Sequence, residues 1–221
     1  MAMEMITTII DQYLFSLSSK EHGKGPCSAL TMIEEMNRIK RLYQSEEPVR
    51  DVLRECVCVR HGHQYCISER AVDEAVERLL VGECLLGNLG RHSLINKKGK
   101  ILSKFIDFEE LYECIKQMIG GIHGIGPLTV YDTAKRIGHI VDTPVYPRQY
   151  VYLFAGAAGG AKGLFPDETL SYREPVSRFE PYFGTLPSLF IEDILCVFAH
   201  ELNSSCEQLN VEKEIILEEG I

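Results

Sequence analysis

The chain of 221 residues has no tryptophan, no excess of positive charge and no apolar run that approaches a membrane span. A spanning helix needs about 20 consecutive apolar residues, so we expect no contact with a membrane. The first residues, MAMEMITTIIDQYLF, contain Glu4 and Asp11 but no basic segment and no small-residue cleavage site. We therefore expect a first helix there and not a signal peptide. The net charge of -9 argues against a protein that binds nucleic acid over much of its surface.

The composition is that of a globular protein, with 45% hydrophobic and 25% charged residues and no internal repeat. This length is enough to bury a core without covalent cross-links. The eight cysteines are therefore expected as reduced thiols in a cytoplasmic protein, with Cys114 and Cys196 as small core residues.

Apolar residues recur at helical spacing through most of the chain, which predicts a mostly α-helical fold. Helices are expected over 3–18, 28–44, 48–59, 68–82, 108–120 and 188–202, with Ser28, Ser68 and Asp107 as N-caps. Residues 86–100 are expected as a loop, and KKGKIL (97–102) as a short hairpin tip. We expect an N-terminal helical region over 1–86 and a second one over 107–221, or one continuous domain that includes both.

Positive charge is concentrated in the middle of the chain. Residues 88–148 contain nine Lys or Arg against six Asp or Glu, although the chain as a whole is acidic. The stretch GRHSLINKKGKILSK, which includes Lys97, Lys98 and Lys100, has no acidic residue. If any part of this protein meets a polyanion, we expect it to be this part.

The same basic region contains IHGIGPLTVYDTAKRIG (122–138), in which Gly124 and Gly126 precede a helical pattern. Glycine adopts positive φ without a steric cost, and Pro127 suits the first position of a helix. Amides at such a helix start point outward and attract anions. The sequence predicts a helix, a tight Gly-Ile-Gly turn and a second helix.

This pattern resembles the helix-hairpin-helix family over about thirty residues, roughly 110–140, with Val130 where that family usually has Ala. The family binds the DNA backbone through the turn without reading sequence. The resemblance implies phosphate contact by the turn and by nearby cations, for which the expected residues are Gly124, Ile125, Gly126, Pro127, Leu128, Thr129, Lys135, Arg136, Lys97, Lys98 and Lys100. Asp132 and Arg136 stand four residues apart, so an ion pair on the helix surface is the alternative for Arg136.

Helix-hairpin-helix DNA glycosylases resemble this segment too, but the chain departs from their catalytic pattern. Bifunctional members carry a Lys where Leu128 stands. The family's Asp, about twenty residues further on, would align with Tyr152, and Asp142 comes slightly too early. We therefore expect DNA-backbone binding without glycosylase activity, with Asp142 as the one weak catalytic candidate. A bacterial family of uncharacterised proteins is similar over the same segments and implies no activity.

Two other functions are kept as alternatives: a protein-interaction module whose hairpin only builds the fold, with a protein partner, and a divergent glycosylase-like enzyme. Because the charge is acidic overall, nucleic-acid binding is expected to be weak or to occur within a larger complex.

Two further motifs have a structural and a functional interpretation. GAAGGAKG (156–163) has a P-loop's spacing from Gly156 to Lys162 but lacks its second Gly and its Ser or Thr, so close helix packing is favoured and no cofactor is expected. CVCVRHGHQYC places Cys56, Cys58, His61, His63 and Cys66 within eleven residues, and these five side chains are the candidate zinc ligands. Their spacing is not a standard zinc pattern, so core cysteines and exposed histidines are the favoured interpretation. REPVSRFEPYFG, with Arg173 and Arg178, is expected as a surface loop.

Overall fold

The computed structural model describes residues 2–15, 21–22, 25–26, 28–45, 47–58, 67–86, 90–96, 98–101, 105 and 107–204. Helices account for most of this part of the chain, so the mostly α-helical prediction is confirmed. The helices are α1 (Ala2–Phe15), α2 (Ala29–Gln44), α3 (Val49–Val57), α4 (Glu69–Val81), α5 (Phe108–Ile119), α6 (Pro127–Ile140), α7 (Ala155–Leu164), α8 (Glu180–Phe183) and α9 (Ser188–Val197). None of the described helices is both long and apolar enough to cross a membrane.

Three antiparallel strand pairs accompany the helices in the described residues. The strands are β1 (Glu21–His22), β2 (Gly25–Pro26), β3 (Glu83–Leu86), β4 (Gly90–Ser93), β5 (Tyr150–Tyr152) and β6 (Arg173–Pro175). They pair β1 with β2, β3 with β4, and β5 with β6.

Helix starts follow the local capping chemistry that the sequence predicts. The Ser68 hydroxyl accepts a hydrogen bond from the Ala71 amide at 3.2 Å, and the Asp107 carboxylate accepts one from the Glu110 amide at 2.9 Å. Each cap satisfies an amide that has no partner within its helix.

The chain forms two compact units. The first combines residues 1–20 and 27–29 with residues 148–221, and the second contains residues 21–26 and 30–147. In the first unit, Ile6, Ile9 and Tyr13 of α1 share an apolar core with α7, α9 and β5. This unit is therefore built from the two ends of the chain.

The expected boundary between residues 86 and 107 lies inside the second unit. Contacts across that segment explain why. Cys84 of β3 forms a disulfide with Cys114 of α5, with their Cα atoms 5.1 Å apart, and the Gln117 side chain bonds both the amide and the carbonyl of Leu85. Strand β3 is thus held against α5 by a covalent bond and two hydrogen bonds. The expectation of reduced thiols is wrong for Cys84 and Cys114.

The expected loop over 86–100 is corrected as well. Strands β3 and β4 form a hairpin with Glu83 opposite Ser93, and Ile95 and Ile101 form a bridge around the turn at Gly99. Gly99 has a φ of 72°, and Asn96 Oδ1 accepts hydrogen bonds from the amides of Lys98 and Lys100. The hairpin tip expected within 97–102 thus corresponds to this turn.

The glycine-rich segment 156–163 lies within helix α7, not in a phosphate-binding loop. A β-carbon on Gly160 would overlap the Leu195 backbone, and one on Gly163 would overlap the Leu202 backbone. These glycines therefore let α7 approach α9 and the residues after it, as the close-packing interpretation predicts.

Candidate nucleic-acid interface

The candidate site begins where α5 ends and the chain turns into α6 in the second unit. Helix α5 ends at Ile119, with Gly120 as its C-cap, and the Ile122 amide donates to the Ile119 carbonyl at 3.1 Å. The side chains of Ile122 and Ile125 are buried, which anchors the turn to the core.

The two glycines of the turn have different conformations. Gly124 has a φ of 92°, in the region that residues with a β-carbon rarely adopt, so the backbone requires glycine there. Gly126 has a φ of -88° and is the N-cap of α6, a conformation that any residue tolerates. Among the described residues, no atom lies within 4 Å of where a β-carbon on Gly126 would be, so this part of the chain leaves space beside the helix start.

Three amides at the start of α6 have no hydrogen-bond acceptor in the described part of the chain: those of Gly126, Leu128 and Thr129. Ile125 donates to the Ile122 carbonyl at 3.0 Å, and Pro127 has no amide hydrogen. At this helix start, the amides able to hold an anion are therefore those of residues 126, 128 and 129, whereas the Ile125 amide is occupied and Pro127 has none to offer. Helix α6 is 14 residues long, and its dipole adds to the attraction.

Lys135 and Arg136 do not lie on an open phosphate-facing surface. Lys135 is 8% exposed, with its ammonium 3.1 Å from Asp132 Oδ1 and over the Tyr131 ring. Arg136 Nε donates to Glu35 Oε1 at 3.1 Å. Arg136 Nη1 donates to the Cys56 carbonyl at 3.1 Å.

Burial lowers the pKa of Arg136, but the carboxylates of Asp132 and Glu35 raise it more, so it lies above its ordinary value. Both cations are thus neutralised inside the second unit. The alternative of an ion pair with Asp132 holds for Arg136, at 3.9 Å, but the pair is largely buried.

The remaining predicted site residues are scattered. Lys98 and Lys100 are exposed at the turn after β4, and neither has a carboxylate partner in the described residues, while Lys97 lies outside them. Asp142 is exposed just after α6.

Three of the five candidate zinc ligands, His61, His63 and Cys66, lie outside the described residues. Cys56 is fully buried, and burial raises the pKa of its thiol to about 12. The Cys56 thiol is therefore protonated near neutral pH, and a metal would have to displace that proton in order to bind. Among the described residues no cluster of His, Cys, Asp and Glu could hold a metal ion.

A hydrogen-bonded group that sequence reasoning missed lies on the second unit between α2, α6 and the segment after α6. His139 Nδ1 is 2.6 Å from the Tyr146 hydroxyl, and Nε2 is 3.2 Å from Asn37 Oδ1. Since Asn37 Oδ1 only accepts, Nε2 carries the proton and Nδ1 accepts from Tyr146. No local sequence pattern predicts this group, because Asn37 and His139 are 102 positions apart in the chain.

No protein-family model matches the chain, and no curated protein or solved structure matches it either.

Proposed function

We propose that this protein binds the sugar-phosphate backbone of DNA, without sequence preference, through the turn between α5 and α6. The observation that carries the proposal is the set of three amides at Gly126, Leu128 and Thr129, which lack acceptors in the described residues and lie at the start of a 14-residue helix. Phosphate oxygens are the natural acceptors for such a group.

The glycine at the N-cap supports this role. Because Gly126 has no side chain and no described residue fills the space beside it, a bulky backbone can approach the amides closely. Its φ of -88° would allow any residue, so conformation alone does not account for a glycine at this position.

The exposed charge of the predicted residues sets the expected strength of binding. Lys135 and Arg136 are occupied by Asp132 and Glu35, which leaves Lys98 and Lys100 as the exposed cations of the predicted set that the structure describes. With a net charge of -9, the protein is expected to bind DNA weakly by itself and more tightly within a larger assembly. Binding should also weaken steeply with salt.

The proposal includes no glycosylase chemistry. Leu128 stands where bifunctional glycosylases carry a Lys, and the Asp142 side chain is exposed after α6. The structure gives this carboxylate no hydrogen-bond or ion-pair partner among the described residues to hold it in a fixed position. A catalytic carboxylate needs such positioning.

A substitution at Thr129 tests the turn without disturbing the fold. Thr129 is the third residue of α6, where a Glu side chain can bond back to the N-cap amide and suits the helix dipole. Thr129→Glu should therefore fold at least as well as the native protein while its carboxylate competes with phosphate. Thr129→Gln is the matched neutral control.

Fluorescence anisotropy with a labelled duplex, at low and at physiological salt, measures the effect. We expect Thr129→Glu to weaken low-salt binding about tenfold or more and Thr129→Gln to stay within about threefold of native, because the two side chains differ chiefly in charge. Equal affinity of the two variants, or no binding by the native protein at low salt, would reduce the turn to a packing element.

A further inference from the structure

A cluster of aromatic side chains surrounds Arg173 in the first unit. Strand β5 pairs with β6 so that Tyr152 lies opposite Arg173, which places Tyr150 and Tyr152 on the same sheet face as Arg173. The guanidinium carbon of Arg173 is 4.8 Å from the Tyr150 ring centroid and 5.5 Å from that of Tyr172. We call the set Tyr150, Tyr152, Phe154, Tyr172 and Arg173 the Arg173 platform.

The aromatic part of the platform continues to the surface. Tyr172 and Phe154 are stacked, with ring centroids 6.0 Å apart and an interplanar angle of 16°, and Phe154 also contacts Tyr152 at 6.0 Å. Tyr172 is 45% exposed, whereas Tyr152 is fully buried. The buried ring therefore supports a layer of aromatic side chains whose outer member faces solvent.

The cation of the platform is not neutralised by a carboxylate in the described residues. The neighbouring Arg178 binds both Glu168 and Glu174, with Nη1 2.7 Å from Glu174 Oε2. Glu174, next to Arg173 in β6, also accepts from the Ser171 amide at 2.8 Å. The acids nearest in sequence are thus committed to Arg178 and Ser171, while Arg173 faces phenol rings.

A guanidinium held on aromatic rings, beside an exposed aromatic ring, matches the chemistry of an unpaired nucleotide. Every base presents a π surface that stacks on aromatic side chains, and its phosphate provides an anion for Arg173, which has no carboxylate partner among the described residues. A duplex hides its bases within the stack, so only its phosphates could reach the platform.

We propose that the Arg173 platform binds single-stranded nucleic acid, with a base stacked on the exposed aromatic surface at Tyr172 and a neighbouring phosphate on Arg173. This inference rests on the proposed function in that both assign nucleic acid as the ligand. The two sites lie in different units, so each can fail without the other.

The test uses the full chain and labelled oligo-dT of about 15 nucleotides, near the upper site size of single-strand binding folds, beside a duplex of equal length. Tyr172→Ala removes the exposed ring, and Tyr172→Phe keeps it. Phe15→Ala is the matched control, because Phe15 is a 76% exposed aromatic residue of the same unit outside the platform. Circular dichroism verifies that each variant is folded.

We expect Tyr172→Ala to weaken oligo-dT binding about tenfold, the loss typical of one stacked base. The oligo-dT affinities of Tyr172→Phe and Phe15→Ala should stay within about threefold of the native value. The duplex affinity of Tyr172→Ala should also stay within about threefold of native, a smaller change than the loss of one stacked base causes. The proposal is overturned if native protein does not bind oligo-dT, or if Tyr172→Ala and Phe15→Ala bind it equally.

Thr129→Glu in the same assay separates the two proposals. If it leaves duplex binding intact while Tyr172→Ala lowers oligo-dT binding, the role of the turn fails and the platform stands. If Thr129→Glu lowers duplex binding while Tyr172→Ala changes nothing, the platform fails and the turn stands.

Discussion

Arg136 serves the stability of the second unit through long-range contacts. Its guanidinium joins Glu35 of α2, Asp132 of α6 and the carbonyl of Cys56, and its side chain is only 14% exposed. Such a cation cannot leave its partners for a phosphate without leaving two half-buried acids uncompensated.

Arg136→Gln should therefore lower the free energy of unfolding by about 2 kcal/mol, somewhat less than for a fully buried pair because Glu35 and Asp132 keep some contact with water. Urea unfolding at neutral pH measures the loss. Lys116→Gln is the control, since Lys116 and Glu113 form an exposed pair whose loss should cost less than about 0.5 kcal/mol. If Arg136→Gln is as stable as the control but has lost DNA affinity, Arg136 contacts DNA and its structural role is contradicted.

His139 should make the second unit sensitive to mild acid. Burial and the positive charge of Lys40 lower the pKa of His139 below its usual value. The unfolded chain therefore takes up the proton more readily than the folded one. The stability that neutral His139 provides is present above its unfolded pKa of about 6.5 and is lost as the pH falls below it.

Urea unfolding between about pH 7 and pH 5 should show a smaller loss of stability on acidification in His139→Gln than in the native chain, since the histidine titrates in that window. If His139→Gln shows the native dependence of stability on pH, protonation of His139 does not contribute.

At the scale of elements, the contact between α7 and α9 depends on the absence of side chains along one face of α7. A β-carbon on Gly160 would overlap backbone atoms of Leu195, which cannot move aside as a flexible side chain can. Gly159, its neighbour, would place a β-carbon 3.9 Å from Ala199, an ordinary contact.

Gly160→Ala should destabilise the protein by about 3 kcal/mol or more, because the two helices must separate. Gly159→Ala should be neutral or stabilising by up to about 1 kcal/mol, since alanine favours a helix over glycine. Thermal unfolding of the two variants gives the comparison. Similar values would mean that α7 and α9 are not in close backbone contact.

How far the sequence predicts the structure depends on the range of the interaction. The caps at Ser68 and Asp107 and the turn at Gly99 involve residues within a few positions of one another, and the sequence predicts them. The contact of Arg136 with Glu35 joins residues 101 positions apart, and no local pattern encodes it.

The Arg173 platform cannot be predicted from a local sequence pattern either, because it depends on contacts between distant residues. The sequence predicts a surface loop for the segment with Arg173 and Arg178, but β6 pairs there with β5, and the two strands are separated by all of α7. Its aromatic members look like separate core residues until the strands are aligned. The candidate turn, by contrast, could be located from sequence, although the burial of Lys135 could not.

At the scale of the whole molecule, the two units differ in how the chain builds them. Residues 30–147 of the second unit form one continuous segment, whereas the first unit needs α1 from one end and residues 148–204 from the other. Ile6, Ile9 and Tyr13 of α1 are buried in that core, and the Tyr13 hydroxyl donates to Asp193 at 2.6 Å. A core that loses three such side chains is strongly destabilised.

We therefore expect a fragment of residues 30–147 to fold by itself and one of residues 148–221 to remain unfolded until a peptide of residues 1–20 is added. Circular dichroism and urea unfolding follow both fragments, and a peptide with Ile6, Ile9 and Tyr13 replaced by Ser is the control. The native peptide should restore cooperative unfolding because it completes the core, and the altered peptide should not. If the fragment of residues 148–221 unfolds cooperatively without any peptide, the first unit does not need α1 in order to fold.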